Sequence, residues 1–162
     1  MSESPCLICD RIQEIREHRN RHFVAELDTG YVVCGDFQFF RGYSLFLCKT
    51  HAPELHELPC GTRERFLVEM CLLAESVFHG FHPRKLNYEC LGNMEPHLHW
   101  HIFPRYNDDL SPQTPSWSID KSIRYNEQFR PSDSDLLSIK ETLLGELTKR
   151  GSIRIHRTWK DA

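Results

Sequence analysis

Three histidines at alternate positions, in the run His97-Leu98-His99-Trp100-His101-Ile102-Phe103, are the residues of this 162-residue chain best placed to do chemistry. In a strand, side chains alternate between faces, so His97, His99 and His101 share one side while Leu98, Trp100 and Ile102 can enter a core on the other. Three imidazoles filling a core would leave several ring nitrogens wanting partners, at roughly 1–3 kcal/mol for each one unmet. Three readings follow: incidental histidines on a solvent-facing strand, a three-histidine metal site, or nucleophilic catalysis on phosphorus. A metal needs ligands two residues apart to converge on one point. In the third reading a neutral imidazole attacks while a neighbour donates to the phosphate oxygens. Histidine suits this because its ordinary pKa of about 6.5 leaves free base at neutral pH.

A second candidate group is Cys6-Leu7-Ile8-Cys9. Two thiolates at that spacing can share a tetrahedral zinc, though buried thiols or a redox pair would give the same pattern.

The elements that must position these residues are legible in the apolar spacing. Leu7, Ile8, Ile12 and Ile15 predict a short amphipathic helix over 7–18, after Pro5. Residues 23–27 and 31–34 read as strands joined by Asp28-Thr29-Gly30, and 44–48 as a third strand ahead of Lys49-Thr50-His51. Phe66, Met70, Leu73 and Val77 predict a helix over about 62–79, ended by Gly80 and Pro83. Two more strands, 86–91 and 97–103, flank Gly92-Asn93-Met94-Glu95-Pro96. From 106 to about 131 the periodicity is lost among Ser, Pro and Asp, predicting a long surface loop. A final helix over 133–149 carries Leu136, Leu137, Leu143, Leu144 and Leu147, and 153–157 reads as a last strand. Consecutive strands with short links favour antiparallel pairing and the α+β class.

With 40% hydrophobic and 27% charged residues, the chain reads as a soluble globular protein. A net charge of -3 without a basic block argues against a partner that is a nucleic-acid polymer. No apolar run is long enough for a bilayer, and no leader is visible at the amino terminus. Seven cysteines, an odd number without framework spacing, favour a reducing compartment, so a cytoplasmic location is expected.

The run 97–103 matches the alternating His-apolar signature of the histidine-triad (HIT) superfamily, and on it the chain resembles that family. Residues 86–93 resemble the strand and turn that precede the triad in bacterial diadenosine polyphosphate hydrolases. Residues 36–51 resemble the loop, strand and Lys-x-His segment of the family. The resemblance spans about 5–105. It implies an α+β, HIT-like fold with an antiparallel sheet of about five strands and helices packed on one side. One domain over 1–162 is expected, its core at about 5–105 and an extension at about 106–162.

By resemblance, His99 is the nucleophile that forms a nucleotidyl-imidazole, and His101 binds the transferring phosphate and assists the leaving group. The backbone carbonyl of His97 accepts from the other ring nitrogen of His99. Asn93 stands against the phosphate and Asp36 where a side chain reaches the ribose hydroxyls, with Phe23 and Phe37 near the base. Arg105, directly after the triad strand, is a candidate for a distal phosphate. The zinc-containing branch further implies a structural zinc held by Cys6, Cys9, His51 and His97, and family members are usually homodimers. The chain departs from the pattern at Met94, where a Ser or Thr hydroxyl is common. A third His, where the transferase branch has Gln, favours hydrolysis. The expected activity is hydrolysis at the α-phosphate of dinucleoside polyphosphates or related nucleotide conjugates. The alternatives are a transferase or phosphorylase using the same adduct, and a nucleotide-binding module with little turnover.

Overall fold

The residues 44–48, four of them apolar, cannot all face one core, because a strand turns alternate side chains to opposite sides. The computed structural model, which describes residues 6–161, shows both sides of that strand covered. Its elements in chain order are α1 (Leu7–Arg16), β1 (Phe23–Glu26), β2 (Gly30–Cys34), β3 (Ser44–Cys48), α2 (Cys60–Phe81), β4 (Lys85–Glu89), β5 (His99–Arg105), α3 (Lys121–Arg124), α4 (Asp133–Thr148) and β6 (Arg157–Thr158). The expected position of Pro5 ahead of α1 lies outside the described residues.

The strands form one antiparallel sheet in the order β4-β5-β3-β2-β1-β6. It has six strands rather than about five. The added edge is β6, two residues long, which pairs Arg157 and Thr158 with Glu26 and Ala25. Among the described residues, no helix is long and apolar enough to cross a membrane.

On one face Val32, Cys34, Phe46, Cys48 and Ile102 pack against Phe66, Leu73 and Val77 of α2 and Leu136, Leu143 and Leu147 of α4. The two long helices therefore share one side, as expected. Three glycines lie within these helices, Gly61 and Gly80 in α2 and Gly145 in α4. A Cβ on Gly80 would come within 2.9 Å of Thr142 Cγ2, so this glycine lets α2 and α4 approach closely and does not end the helix. The helix ends at His82, in the left-handed conformation at φ 51°. Glu69, fully buried in α2, accepts from the backbone N–H groups of Asp28 and Thr29, both at 3.0 Å. That clamps the helix to the turn between β1 and β2.

The other face carries Tyr31, Val33, Leu45, Leu47 and Phe103. It is covered by Ile8, Ile12 and Ile15 of α1 and by Ile119 from the segment after the sheet. The helical cover is thus not confined to one side. The stripe of α1 at i, i+4 and i+7 is short, so it shields only part of that face. The pairing of β3 with β5 sets Leu47 opposite His99 and Leu45 opposite His101, which places the triad on this second, partly open face.

Candidate functional site

His99 and His101 project from β5 on the same face, their rings 4.7 Å apart between centroids. His97 lies two residues ahead of the strand and is buried. Hydrogen bonds to groups that can only accept decide two of the three tautomers. His99 Nδ1 lies 2.6 Å from the backbone oxygen of His97, so Nδ1 carries the proton and Nε2 keeps its lone pair. His97 Nε2 lies 2.8 Å from the backbone oxygen of Cys48, which puts its proton on Nε2 and leaves Nδ1 open.

His101 Nδ1 is 2.6 Å from the hydroxyl of Tyr43. Burial pushes the Tyr43 phenol well above its ordinary pKa, so it stays an O–H. This is the one hydrogen bond of that hydroxyl among the described residues, and an undonated buried O–H is costly. Tyr43 therefore donates, and His101 carries its own proton on Nε2. Burial first, then the charges of His99 and Arg124, lower the His101 pKa to about 3, so the ring is neutral at physiological pH. The site presents one nucleophilic nitrogen on His99 and one donor N–H on His101. Burial likewise lowers the pKa of His97.

The open Nδ1 of His97 faces two thiols, with Cys6 Sγ at 3.5 Å and Cys9 Sγ at 3.4 Å. Cys9 Sγ is also 3.2 Å from His51 Nδ1. Local structure explains the Cys-x-x-Cys spacing. Cys6 is the N-cap of α1, where its sulfur accepts from the Cys9 N–H at 3.4 Å, so both sulfurs stand at one helix end. The ligand atoms of Cys6, Cys9, His51 and His97 all lie within 4.8 Å of one another, and these four residues could hold a metal ion.

Beside the imidazoles of His99 and His101 opens a cavity of 710 Å³. Its lining includes Leu7, Ile8 and Arg11 of α1, Asp36, Phe37, Tyr43, Asn93, Met94, His99 and His101. The segment beyond residue 105 forms the remaining wall through Trp117, Lys121, Arg124 and Tyr125. Trp117 meets His101 edge-to-face at 5.3 Å, and the Arg124 guanidinium lies 4.4 Å over the Trp117 ring. Tyr125 packs on Phe37 at 5.4 Å.

Of the residues expected at the site, His99, His101, Asn93, Asp36 and Phe37 line this cavity, and Cys6, Cys9, His51 and His97 cluster behind it. Asp36 does not stand free. It is paired with both terminal nitrogens of Arg11 and lies 3.7 Å from His22 Nε2. Burial works to raise its pKa, but the hydrogen bond and charge of Arg11 outweigh that and hold it below the ordinary value. Phe23 is buried in the core beside Tyr31 and does not reach the cavity.

Arg105 is not at the cavity either, which corrects its assignment to a distal phosphate. It follows His101 by four residues, about 13 Å along a strand. Its guanidinium donates to Asp109 at 2.7 Å, Asn87 at 2.8 Å and the backbone oxygens of Ser111 and Thr114 at 2.8 and 2.6 Å. Arg105 instead anchors the loop that follows β5.

Sequence reasoning missed Tyr43, Trp117, Lys121, Arg124 and Tyr125. Tyr43 had a usable signal, since it lies two residues ahead of Leu45 and so continues the triad side of β3. The other four sit in an aperiodic segment with no such signal.

No curated protein matches the sequence significantly. Among solved structures, a histidine triad protein from Marinobacter aquaeolei VT8 is similar, with a TM-score of 0.68 and 26% identity over 79% of this chain and 89% of that one. A Zn-bound histidine triad family protein from Mycobacterium smegmatis has a TM-score of 0.55 at 20% identity, covering 78% of this chain and 84% of its own. The Plasmodium falciparum diadenosine triphosphate hydrolase has a TM-score of 0.55 at 12% identity, covering 82% and 80% respectively. The family description "HIT domain" matches residues 16–108. With more than half of its length inside that match, His99 and His101 on one face of β5 and His97 just ahead of it, the chain belongs to the HIT domain family.

Proposed function

We propose that the protein is a nucleotide hydrolase cleaving at the α-phosphate of dinucleoside polyphosphates or related conjugates through a covalent adduct on His99. The observation that carries this reading is the 2.6 Å hydrogen bond from His99 Nδ1–H to the His97 carbonyl, which leaves the Nε2 lone pair for attack. In the first step Nε2 bonds to phosphorus and the bond from phosphorus to the leaving oxygen breaks, its electron pair departing with that oxygen. The imidazole becomes cationic, and its Nδ1–H still donates to the carbonyl, now as a charge-assisted bond. His101 Nε2–H donates to a phosphoryl oxygen as negative charge builds there. Water then adds to phosphorus, the P–N bond breaks, its electrons return to Nε2, and a water proton passes to solvent. The fold shared with the diadenosine triphosphate hydrolase agrees with this chemistry.

We also infer that the metal held by Cys6, Cys9, His51 and His97 is zinc. For Zn–S of about 2.3 Å and Zn–N of about 2.1 Å, tetrahedral angles separate a sulfur ligand from a nitrogen ligand by about 3.6 Å. The three sulfur–nitrogen separations of 3.2 to 3.5 Å are close to that edge. Two thiolates and two imidazoles make a closed set, so the ion's contribution is structural. The Cys48 carbonyl holds the His97 tautomer that leaves Nδ1 available.

The test is turnover of diadenosine tetraphosphate, adenosine phosphoramidate and adenosine phosphosulfate by the protein and by His99→Ala, following adenosine monophosphate. Release by the wild type that falls ~10³-fold or more in the variant is expected for loss of a covalent nucleophile. Equal release from both proteins would sink the role of His99. Release from none of the substrates would remove the hydrolase reading.

A further inference from the structure

Arg124 is a cation in a place where an unpaired charge is expensive. It is 7% exposed, yet it forms no ion pair among the described residues. Its Nε donates to the backbone oxygen of Ile119 at 2.8 Å, and Nη1 stands 3.5 Å from the Tyr125 hydroxyl. Its plane lies over the Trp117 ring at 4.4 Å and near that of Tyr125 at 5.0 Å. Aromatic faces and one carbonyl are weak substitutes for a carboxylate around a desolvated guanidinium. The two carboxylates that feel its charge do not pair with it: Asp120 accepts from the Ser122 N–H at 2.7 Å, and Glu89 takes the Ser116 hydroxyl at 2.6 Å on Oε1 while its buried Oε2 has no hydrogen-bond partner among the described residues. Arg124 lines the cavity, and Lys121, one helical turn earlier, lines it too with no ion pair among the described residues.

We propose that Arg124, seconded by Lys121, forms an anion subsite that takes a phosphate-bearing leaving group on the His101 side of the cavity, and so selects nucleotides whose leaving group is itself anionic. This deepens the hydrolase reading and rests on it for the words "leaving group". The position follows from the ring contacts. His99 and His101 hold the phosphorus under attack, Trp117 stands against His101, and Arg124 lies one ring further along. The electrostatics agree, because the Arg124 charge is felt at His101 and Tyr43. A neutral His101 is a poor proton donor, so a leaving oxygen must depart as an anion, and a fixed cation stabilises that departure. An amine leaving group, which must be protonated to leave, gains nothing from Arg124.

The experiment compares the full-length wild type with Arg124→Gln, Arg124→Lys and Lys121→Gln. Turnover of diadenosine tetraphosphate is set against turnover of adenosine phosphoramidate, and binding of inorganic tripolyphosphate is measured by calorimetry. Loss of one charge-assisted contact predicts a fall of ~10–100-fold in kcat/KM for the tetraphosphate in Arg124→Gln. The phosphoramidate should change by less than ~3-fold, and Arg124→Lys should recover part of the loss. Lys121 is exposed, so Lys121→Gln leaves the fold intact. It should show a smaller loss with the same selectivity, even if Arg124→Gln does not fold. Equal losses on both substrates, or no change in selectivity in any variant, overturn the proposal. Tripolyphosphate binding that weakens in Arg124→Gln supports the subsite even if the wild type turns over neither substrate, an outcome that removes only the hydrolase reading. Failure of the wild type to bind tripolyphosphate overturns the subsite whatever the turnover.

Discussion

With the Tyr43 hydroxyl donating to Nδ1, the Nε2–H of His101 is the group left to meet a substrate oxygen. Tyr43→Phe removes that donor without adding bulk, so His101 is free to exchange tautomers and present a lone pair instead. We expect kcat to fall ~10-fold with KM little changed, the size of one hydrogen bond made in the transition state. Nitrogen NMR of the imidazoles should show a protonated Nε2 at His101 in the wild type and a mixture in the variant; identical spectra would refute the tautomer lock. The same spectra test the charge state. His101 is expected to titrate near pH 3, against an ordinary 6.5, chiefly because it is buried. Between those values the unfolded chain binds a proton that the native ring refuses, so stability should fall as pH drops from about 6.5 towards 3. A His101 signal that titrates between pH 6 and 7 would contradict this. At this scale the triad was readable because histidine at every second position has few bland explanations. Arg105 was misplaced because following the triad strand directly says nothing of distance along it. Tyr43 was overlooked because an aromatic residue just ahead of a strand looks like an anchor.

Each long helix has a glycine in its body, Gly80 in α2 and Gly145 in α4, and they sit in different surroundings. Gly145 in α4 has nothing within 4 Å of the place a Cβ would occupy, whereas Gly80 in α2 would overlap Thr142. Gly145→Ala should therefore raise stability by up to ~1 kcal/mol, through helix propensity alone. Gly80→Ala gains the same propensity but must force the helices apart, at ~1–3 kcal/mol, so its net effect should be destabilising or nil. Chemical denaturation of the two variants reads the difference; equal stabilisation of both would show that the close approach of α2 and α4 is dispensable. The helices themselves were legible from their apolar stripes, and the strands from alternation within a residue or two, except the last, expected over 153–157 and formed by Arg157–Thr158. The end of α2 was not, because glycine signals termination and tight packing equally, and only the partner helix distinguishes them. The segment 106–131 gave no period because it is built from short turns, with α3 only four residues long.

At the scale of the whole molecule, the cluster of Cys6, Cys9, His51 and His97 joins three distant parts of the chain: the start of α1, the residues after β3, and those before β5. Few other contacts tie α1 into the sheet beyond its three isoleucines and the Arg11–Asp36 pair. Cys9→Ser should therefore abolish metal recovered with the protein. We expect it to lower Tm by about 6–12 °C, equivalent to ~3 kcal/mol for a chain of this size. Metal analysis and calorimetry check this; an unchanged Tm in a metal-free variant would show that the cluster does not hold the fold. The pairing of Cys6 with Cys9 was visible in their spacing, but His51 and His97 entered only by family resemblance, since no local pattern links residues so far apart. The share of the cavity wall drawn from beyond residue 105 was invisible for the same reason.

His97 meets its two neighbours through different parts of itself. Its ring faces the Cys6 and Cys9 thiols and its peptide carbonyl accepts from His99. Every amino acid carries that carbonyl, so the hydrogen bond that fixes the His99 tautomer is indifferent to the side chain at position 97 as long as the backbone stays in place. Mutation can therefore separate the two inheritances. A lineage could trade away the imidazole that faces the thiols, replacing its scaffold by better packing, and keep the open Nε2 of His99 throughout.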